Sequence, residues 1–232
     1  WSIKTLHRLI MLSNTYQQRS DPRPSALERD PENRLIWRFN RQRLDFEAMR
    51  DSVLAVAGAL GPSFGGPPTP ITEPAFSTRR TLYGFIDRQN LDADYRTFDF
   101  ATPDATSPRR FVTTVPQQAL FLMNSPFLHE QARRLAGLIP HESRDASLPT
   151  AATAKGDPAS GVRMLYRRVL GRPPEPAELD LAIEFIRRQT ASSPADSTAW
   201  RLIQTAKGQP PLSPWEQLSQ VLLLTNEFMF VD

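Results

Sequence analysis

The chain has 232 residues, no cysteine, a 40% hydrophobic share and a formal charge of +3, from 28 Lys and Arg against 25 Asp and Glu. At about 150 residues per domain this is one large domain or two small ones, long enough to bury a core without a metal or a disulfide. The missing cysteine excludes thiol catalysis, disulfides, zinc-thiolate and iron–sulfur sites and a CxxCH haem attachment within the chain, and the hydrophobic share excludes a disordered polymer.

In chain order, Ser2 to Gln18 reads as a helix, with Ile3, Leu6, Ile10 and Met11 near 3.6 spacing. Arg19 to Arg29 holds two prolines and reads as a loop. Asp30-Pro31-Glu32 carries a helix-start signal: a cap acceptor, Pro at the first position and an acid in the first turn. Trp37-Arg38-Phe39 offers a sugar or partner platform, although its place in a short amphipathic helix favours core packing. The best amphipathic helix places Phe46, Met49, Val53, Val56 and Leu60 on one face and is stopped by Gly61-Pro62. Gly61 to Ser77, with five prolines, excludes regular structure, and Thr81 to Ile86 is the best strand.

A polar, Asp-rich stretch without predicted secondary structure runs from Asp87 to Arg110. Pro116 opens a helical block that Asn124-Ser125-Pro126 interrupts and restarts, with Leu128, Ala132, Leu135 and Ile139 on its apolar face. Residues 140–160 read as a linker or exposed loop. Helices are expected at Val162–Leu170, Ala177–Gln189 and Ala199–Lys207, and a last one starts on the capping box Ser213-Pro214-Trp215-Glu216. A weak internal echo recurs at Leu9–Tyr16, Leu120–Phe127 and Val221–Phe228; it reads as an apolar helix ending in an Asn that tolerates the left-handed conformation, with an aromatic folding back over it, in preference to a true duplication.

These elements make the chain mainly α: an irregular multi-helix domain with long Pro-rich loops and at most one or two short strands. The expected organisation is a main helical domain over 1–139, the linker 140–160, and a C-terminal helical subdomain over 161–232 that packs on the first. Only Lys4, Lys155 and Lys207 of the basic residues are lysines; the arginines are scattered and mostly flanked by acids, which argues against a nucleic-acid face. The longest apolar runs, Val53 to Leu60 and Val221 to Leu224, fall far below the ~18 residues of a membrane span. A chain that begins at Trp1, with neither Met nor signal peptide, is expected to be a fragment or a processed product.

Candidates for chemistry are few. His7, His129 and His141 form no HxxxH or HExxH pair, and no GxSxG, Walker loop or GxGxxG after a strand is present. The densest polar segment is Asp87-Arg88-Gln89-Asn90, then Asp92, Asp94, Asp99, Asp104 and Arg109-Arg110, interleaved with Tyr95, Phe98 and Phe100; the candidate ligand or structural network within it is Asp87, Arg88, Asn90, Asp99, Asp104, Arg109 and Arg110. It is either a ligand-binding or catalytic loop or a segment pinned by internal Arg–Asp bonds, and the second reading is preferred because backbone without regular structure needs side-chain partners. Asp92, Asp94 and Asp99 have a calcium-loop flavour but lack the Gly and Glu that such a loop requires. No metal site is expected, and no catalytic residue is assigned.

Longer runs resemble a known family. They are Trp1 to Ile10, Asp30 to Leu35, Asn40 to Asp45, Asp87 to Leu91, Phe98 to Phe100, Val112 to Leu120, Leu122 to Phe127, Leu165 to Pro174 and Asn226 to Asp232. Together they resemble the planctomycete-specific domain of unknown function abbreviated PSD, which lies C-terminal to cytochrome c-like domains. The Leu-Tyr-Arg-Arg-Val-Leu-Gly-Arg-Pro segment, taken alone, also looks like a helical motif of bacterial linker and surface-associated domains. The PSD resemblance implies an exported, extracytoplasmic protein whose upstream domains, a cytochrome c-like domain and a companion domain, are this chain's partners. Any haem would belong to that upstream part, so no cofactor is expected here. The expected role is a non-catalytic scaffold or interaction module, with a possible protein partner; the alternative is a polysaccharide-binding or polysaccharide-processing module that uses the Asp87–Arg110 loop.

Overall fold

Proline and short polar caps set most of the helix starts. In the computed structural model, which describes residues 2–139, 157–191 and 210–231, six of the ten described helices begin on Pro, where a missing N–H costs nothing and φ is already helical. The helices are α1 (Ile3–Met11), α2 (Pro24–Arg29), α3 (Phe46–Val56), α4 (Ala93–Thr97), α5 (Pro116–Asn124), α6 (Pro126–Ala136), α7 (Pro158–Leu170), α8 (Pro176–Ala191), α9 (Pro214–Leu223) and α10 (Asn226–Met229). The described strands, β1 (Gln42–Arg43) and β2 (Phe230–Val231), make one antiparallel pair with Gln42 opposite Val231. The chain is therefore mainly helical. No described helix is long and apolar enough to cross a membrane.

The chain forms two compact units, residues 1–44 with 230–232 and residues 45–229. In the smaller unit, α1 is capped by Ser2, whose hydroxyl accepts from Thr5 N. It stops at Met11 rather than running to Gln18, because the Ser13 hydroxyl donates to the Ile10 carbonyl and accepts from Tyr16 N, closing the turn. The expected loop over Arg19–Arg29 contains α2. The expected helix start at Asp30 is a turn instead. The Asp30 carboxylate accepts from Arg34 N and Leu35 N, which holds its pKa below the ordinary value, and Asn33 and Ile36 take positive φ. Trp37 is not helical; its indole donates to the Asp30 carbonyl.

In the larger unit α6 packs on α9, α9 and α7 pack on α8, and α3 packs on α6. Leu128, Ala132 and Leu135 of α6, Leu222 and Leu223 of α9, Val162 and Leu165 of α7, and Val53 and Leu54 of α3 are buried. The predicted apolar faces of α3 and α6 therefore face the core, although α3 ends at Val56 and Gly58 takes φ +70°, so Leu60 lies beyond it.

Three expectations in this unit need correction. Thr81–Tyr83 is a single 3-10 turn rather than a strand, followed by an isolated parallel bridge from Gly84 to Thr69. The polar segment after Asp87 contains α4, started by the Asp92 carboxylate accepting from Asp94 N. Neither Asn124 nor Asn226 is left-handed, and in the smaller unit Asn14 is not either. The capping box at Ser213 and Glu216 forms as read. Helix α7 begins at Pro158, inside the expected linker; residues 140–156, and the expected helix over 199–207, lie outside the described residues.

Two glycines are required by close approach. A Cβ at Gly84 would run into the Tyr95 hydroxyl, and one at Gly161 would stand 2.8 Å from Trp215 Cη2. Gly161→Ala is expected to destabilise the chain by about 1–3 kcal/mol through overpacking, read as a lower urea midpoint; an unchanged midpoint would mean the Trp215 ring can slide aside.

Candidate functional site

Of the residues singled out between 87 and 110, Asp87, Asp99 and Arg110 have partners of their own. Asp87 is exposed and accepts from Gln89 N in a local turn, and Arg88 and Asn90 are exposed. Asp99, at φ +60°, accepts from Thr113 N and the Thr113 hydroxyl, both at 2.8 Å, and from the Gln118 amide. Asp104 and Arg109 are exposed. Arg110 makes a bidentate pair with Glu47, both bonds 2.7 Å, and lies 4.4 Å above the Phe100 ring. None of Asp87, Asp99 and Asp104 lines the hollow between α3 and the α5–α6 junction. The internal bonds are mixed in kind: Asp99 is held by a threonine and a glutamine, and Arg110 reaches Glu47 on α3 and, at 3.7 Å, Asp45. Among the described residues no group of three His, Asp or Glu is placed to hold a metal.

That hollow, lined by charged and aromatic groups, forms elsewhere in the larger unit. A cavity of about 160 Å³ opens between α3, the residues 71–76, Asp94 and the α5–α6 junction. Each wall follows from the sequence pattern. The inward face of α3 contributes Phe46, Met49 and Arg50, and the Ser125-Pro126 break between two helices turns Phe121 and Phe127 toward the same space. Two charged groups line it. Arg50 is 2% exposed; its Nη1 donates to the Arg79 carbonyl and the Thr81 hydroxyl, its Nη2 to the Ser77 carbonyl, and its guanidinium lies 4.9 Å over the Phe127 ring. Asp94 is half-buried and its carboxylate bonds to no described residue. Burial, and then the neighbouring Asp92 carboxylate, push its pKa up to about 6. Behind this wall the buried Tyr95 hydroxyl has no partner among the described residues, and burial raises its pKa to about 12.

Sequence reading named the Asp-rich segment but not this pair. It does not single out Arg50, and it places Asp94 in the polar segment and in the imperfect calcium pattern but not in the candidate network. The signal that could have found Arg50 was its spacing from Phe46 and Val53, which puts an arginine on the buried face of an amphipathic helix.

A second polar knot ties the α7–α8 turn. Arg172 follows Gly171, which caps α7 at φ +71°, and clasps both Glu178, at 2.7 and 2.8 Å, and Glu227, at 2.6 and 2.7 Å. The pairing holds the Arg172 pKa above its ordinary value and Glu178 down at about 2.

Comparison with known proteins gives a family without a function. A family model described as PSD1, protein of unknown function (DUF1553), matches residues 1–186. The chain belongs to this family. No curated protein matches the chain. No solved structure matches it either. The PSD1 match contains the cavity, both of its charged groups and Arg172 with Glu178, whereas Glu227 lies beyond it.

Two predictions follow from the charges. Between its ordinary value of 3.8 and about 6, native Asp94 holds a proton that the unfolded chain has released, so its contribution lowers stability as pH rises through that window and leaves it lowered above it. Asp94→Asn is therefore expected to be more stable than wild type at neutral pH, by about 1 kcal/mol after discounting for partial solvation, with the difference vanishing below pH 4 in urea titrations. Glu178 has the opposite sign. The stability its pairing supplies is complete above 4.5 and fades as pH falls toward about 2. In acid titrations Arg172→Ala should be less stable than wild type at neutral pH and converge on it in that acid window.

Proposed function

We propose that this chain is a non-catalytic helical interaction module, the C-terminal part of a large exported, cytochrome c-associated protein, whose task is to hold other domains of the same polypeptide. The observation that carries this reading is α1. Its apolar stripe of Ile3, Leu6 and Ile10 has Lys4 and Arg8 on the opposite side, yet no residue of the helix is buried; Ile3 is 72% exposed and Leu9 67%. A helix so patterned normally buries its stripe, at about 25 cal/mol per Å². The occupant we assign to it is the companion domain that the PSD resemblance implies. The arginines support the same role, because Arg110, Arg172 and Arg50 are spent on internal braces rather than presented to a substrate.

A second reading, a polysaccharide-binding module, is favoured by Phe85 and Phe111, which flank the Asp-rich segment and are 57% and 76% exposed. Glycoside hydrolysis needs two carboxylates about 5 to 9.5 Å apart across a cleft, and Asp99 is instead engaged by Thr113 while none of Asp87, Asp99 and Asp104 lines the cavity of about 160 Å³.

Leu6→Arg with Ile10→Arg should leave the unfolding free energy of this chain, from urea titration, within about 0.5 kcal/mol of wild type. In the full-length protein the same pair should increase proteolytic cleavage between domains. Unchanged cleavage would overturn the interaction reading, and retention on a polysaccharide affinity gel that is lost in Phe111→Ala would replace it with the second.

A further inference from the structure

We propose that the cavity between α3, the residues 71–76 and the α5–α6 junction binds a small organic cation, an ammonium group on a benzene-sized apolar body, with Asp94 as its counter-ion. This inference is independent of the interaction reading and rests on three features of the larger unit.

The first is size. At about 160 Å³ the hollow is comparable to engineered apolar cavities of about 150 Å³ that take up benzene. It has room for one ring or one branched aliphatic group and not for a sugar chain.

The second is the lining. Phe46, Phe76, Phe121 and Phe127 present aromatic surface on several sides, with Phe76 and Phe127 edge to face at 5.5 Å. Ring faces attract cations as well as apolar groups, and the attraction grows when water is excluded. One cation already uses this property here, since the Arg50 guanidinium sits over Phe127.

The third is charge. Two ionic groups reach the cavity and only one of them is satisfied. Arg50 directs Nη1 and Nη2 at the Ser77 and Arg79 carbonyls and the Thr81 hydroxyl, so its hydrogen bonds point into the protein. Asp94 accepts nothing from any described residue. The groups around it do not neutralise it: the Asp92 carboxylate adds negative charge while accepting from the Thr72 hydroxyl and from Asp94 N. An unpaired carboxylate at the edge of an apolar hollow is costly unless a donor or a cation arrives, and an ammonium ion supplies both in one charge-assisted contact. An anion would meet the opposite arrangement, an unscreened carboxylate and an arginine whose terminal nitrogens are already engaged.

The test uses this chain at neutral pH with three ligands of one shape: benzylamine, benzyl alcohol and benzoate, followed by calorimetric titration and by side-chain shifts of Phe121 and Phe127 in NMR spectra. Benzylamine is expected to bind about tenfold or more tightly than benzyl alcohol and to move both phenylalanine signals, with benzoate the weakest of the three. In Asp94→Asn, which keeps the cavity's shape, benzylamine should lose that margin and bind no better than the alcohol. Leu128→Phe, which enlarges a buried side chain of the cavity lining, should weaken benzylamine and benzyl alcohol alike. Equal binding of amine and alcohol to wild type, or an amine preference that survives Asp94→Asn, would overturn the proposal. Tightest binding of benzoate would also overturn it and would assign Arg50 as the anchoring group.

Discussion

The structure depends on arginine side chains donating hydrogen bonds to backbone carbonyls that no helix or sheet would otherwise satisfy. The chain has 22 prolines, each of which removes an N–H and interrupts regular pairing while its own and its neighbours' carbonyls still need donors. Arg50 serves Ser77 and Arg79, Arg79 serves Gly65 and Pro67, Arg133 serves Pro210, Arg168 serves Val56, and Arg23 serves Trp37. A guanidinium has five donors in a rigid fork and no acceptor, so it suits this task better than lysine does. That accounts physically for an abundance of arginine in a chain with only three lysines, whose scattered pattern does not resemble a nucleic-acid face.

The braces also explain where the cavity lies. Arg50 pins residues 77–81 to the buried face of α3, and Asp51 assists by accepting from Thr81 N, the Thr81 hydroxyl and Arg80. The preceding turn, with Ile71 and Phe76, is thereby hung over the α5–α6 junction without filling the space beneath. Close packing surrounds it: Tyr95 packs against Phe46 and Phe100, each at 4.9 Å, and Phe98 against Phe121 at 5.4 Å. A hollow lined by aromatic rings and bounded by one engaged and one unengaged charge is a by-product of bracing an irregular chain from one side. Charge placement, rather than any catalytic motif, gives it chemical character.

Much of the candidate site could not be read from the sequence, for a specific reason. Asp99, Asp104 and Arg110 look like one cluster because they are close in sequence, but the partners of an irregular segment are chosen by its path. Asp99 meets Thr113 and Gln118, and Arg110 meets Glu47, 63 residues away. Asp94 stands seven residues after Asp87 and five before Asp99, and it owes its character to burial, which no local pattern reports.

What the sequence alone determined was local. Proline at a first helical position, a serine or aspartate cap and a 3.6-residue apolar stripe act within one or two turns, so α3, α5, α6, α7 and α9 were legible along with the mainly helical class and the family. Tertiary structure decided every element whose partner is remote. Thr81–Tyr83 became a turn because Asp51 of α3 captures its amide and hydroxyl, Asp30 closed a turn instead of opening a helix because two backbone amides folded back onto it, and the pairing of β1 with β2 joins residues nearly two hundred positions apart. Those outcomes turn on which donors meet which acceptors once the helices have packed, a competition among contacts of similar strength that sequence spacing does not rank.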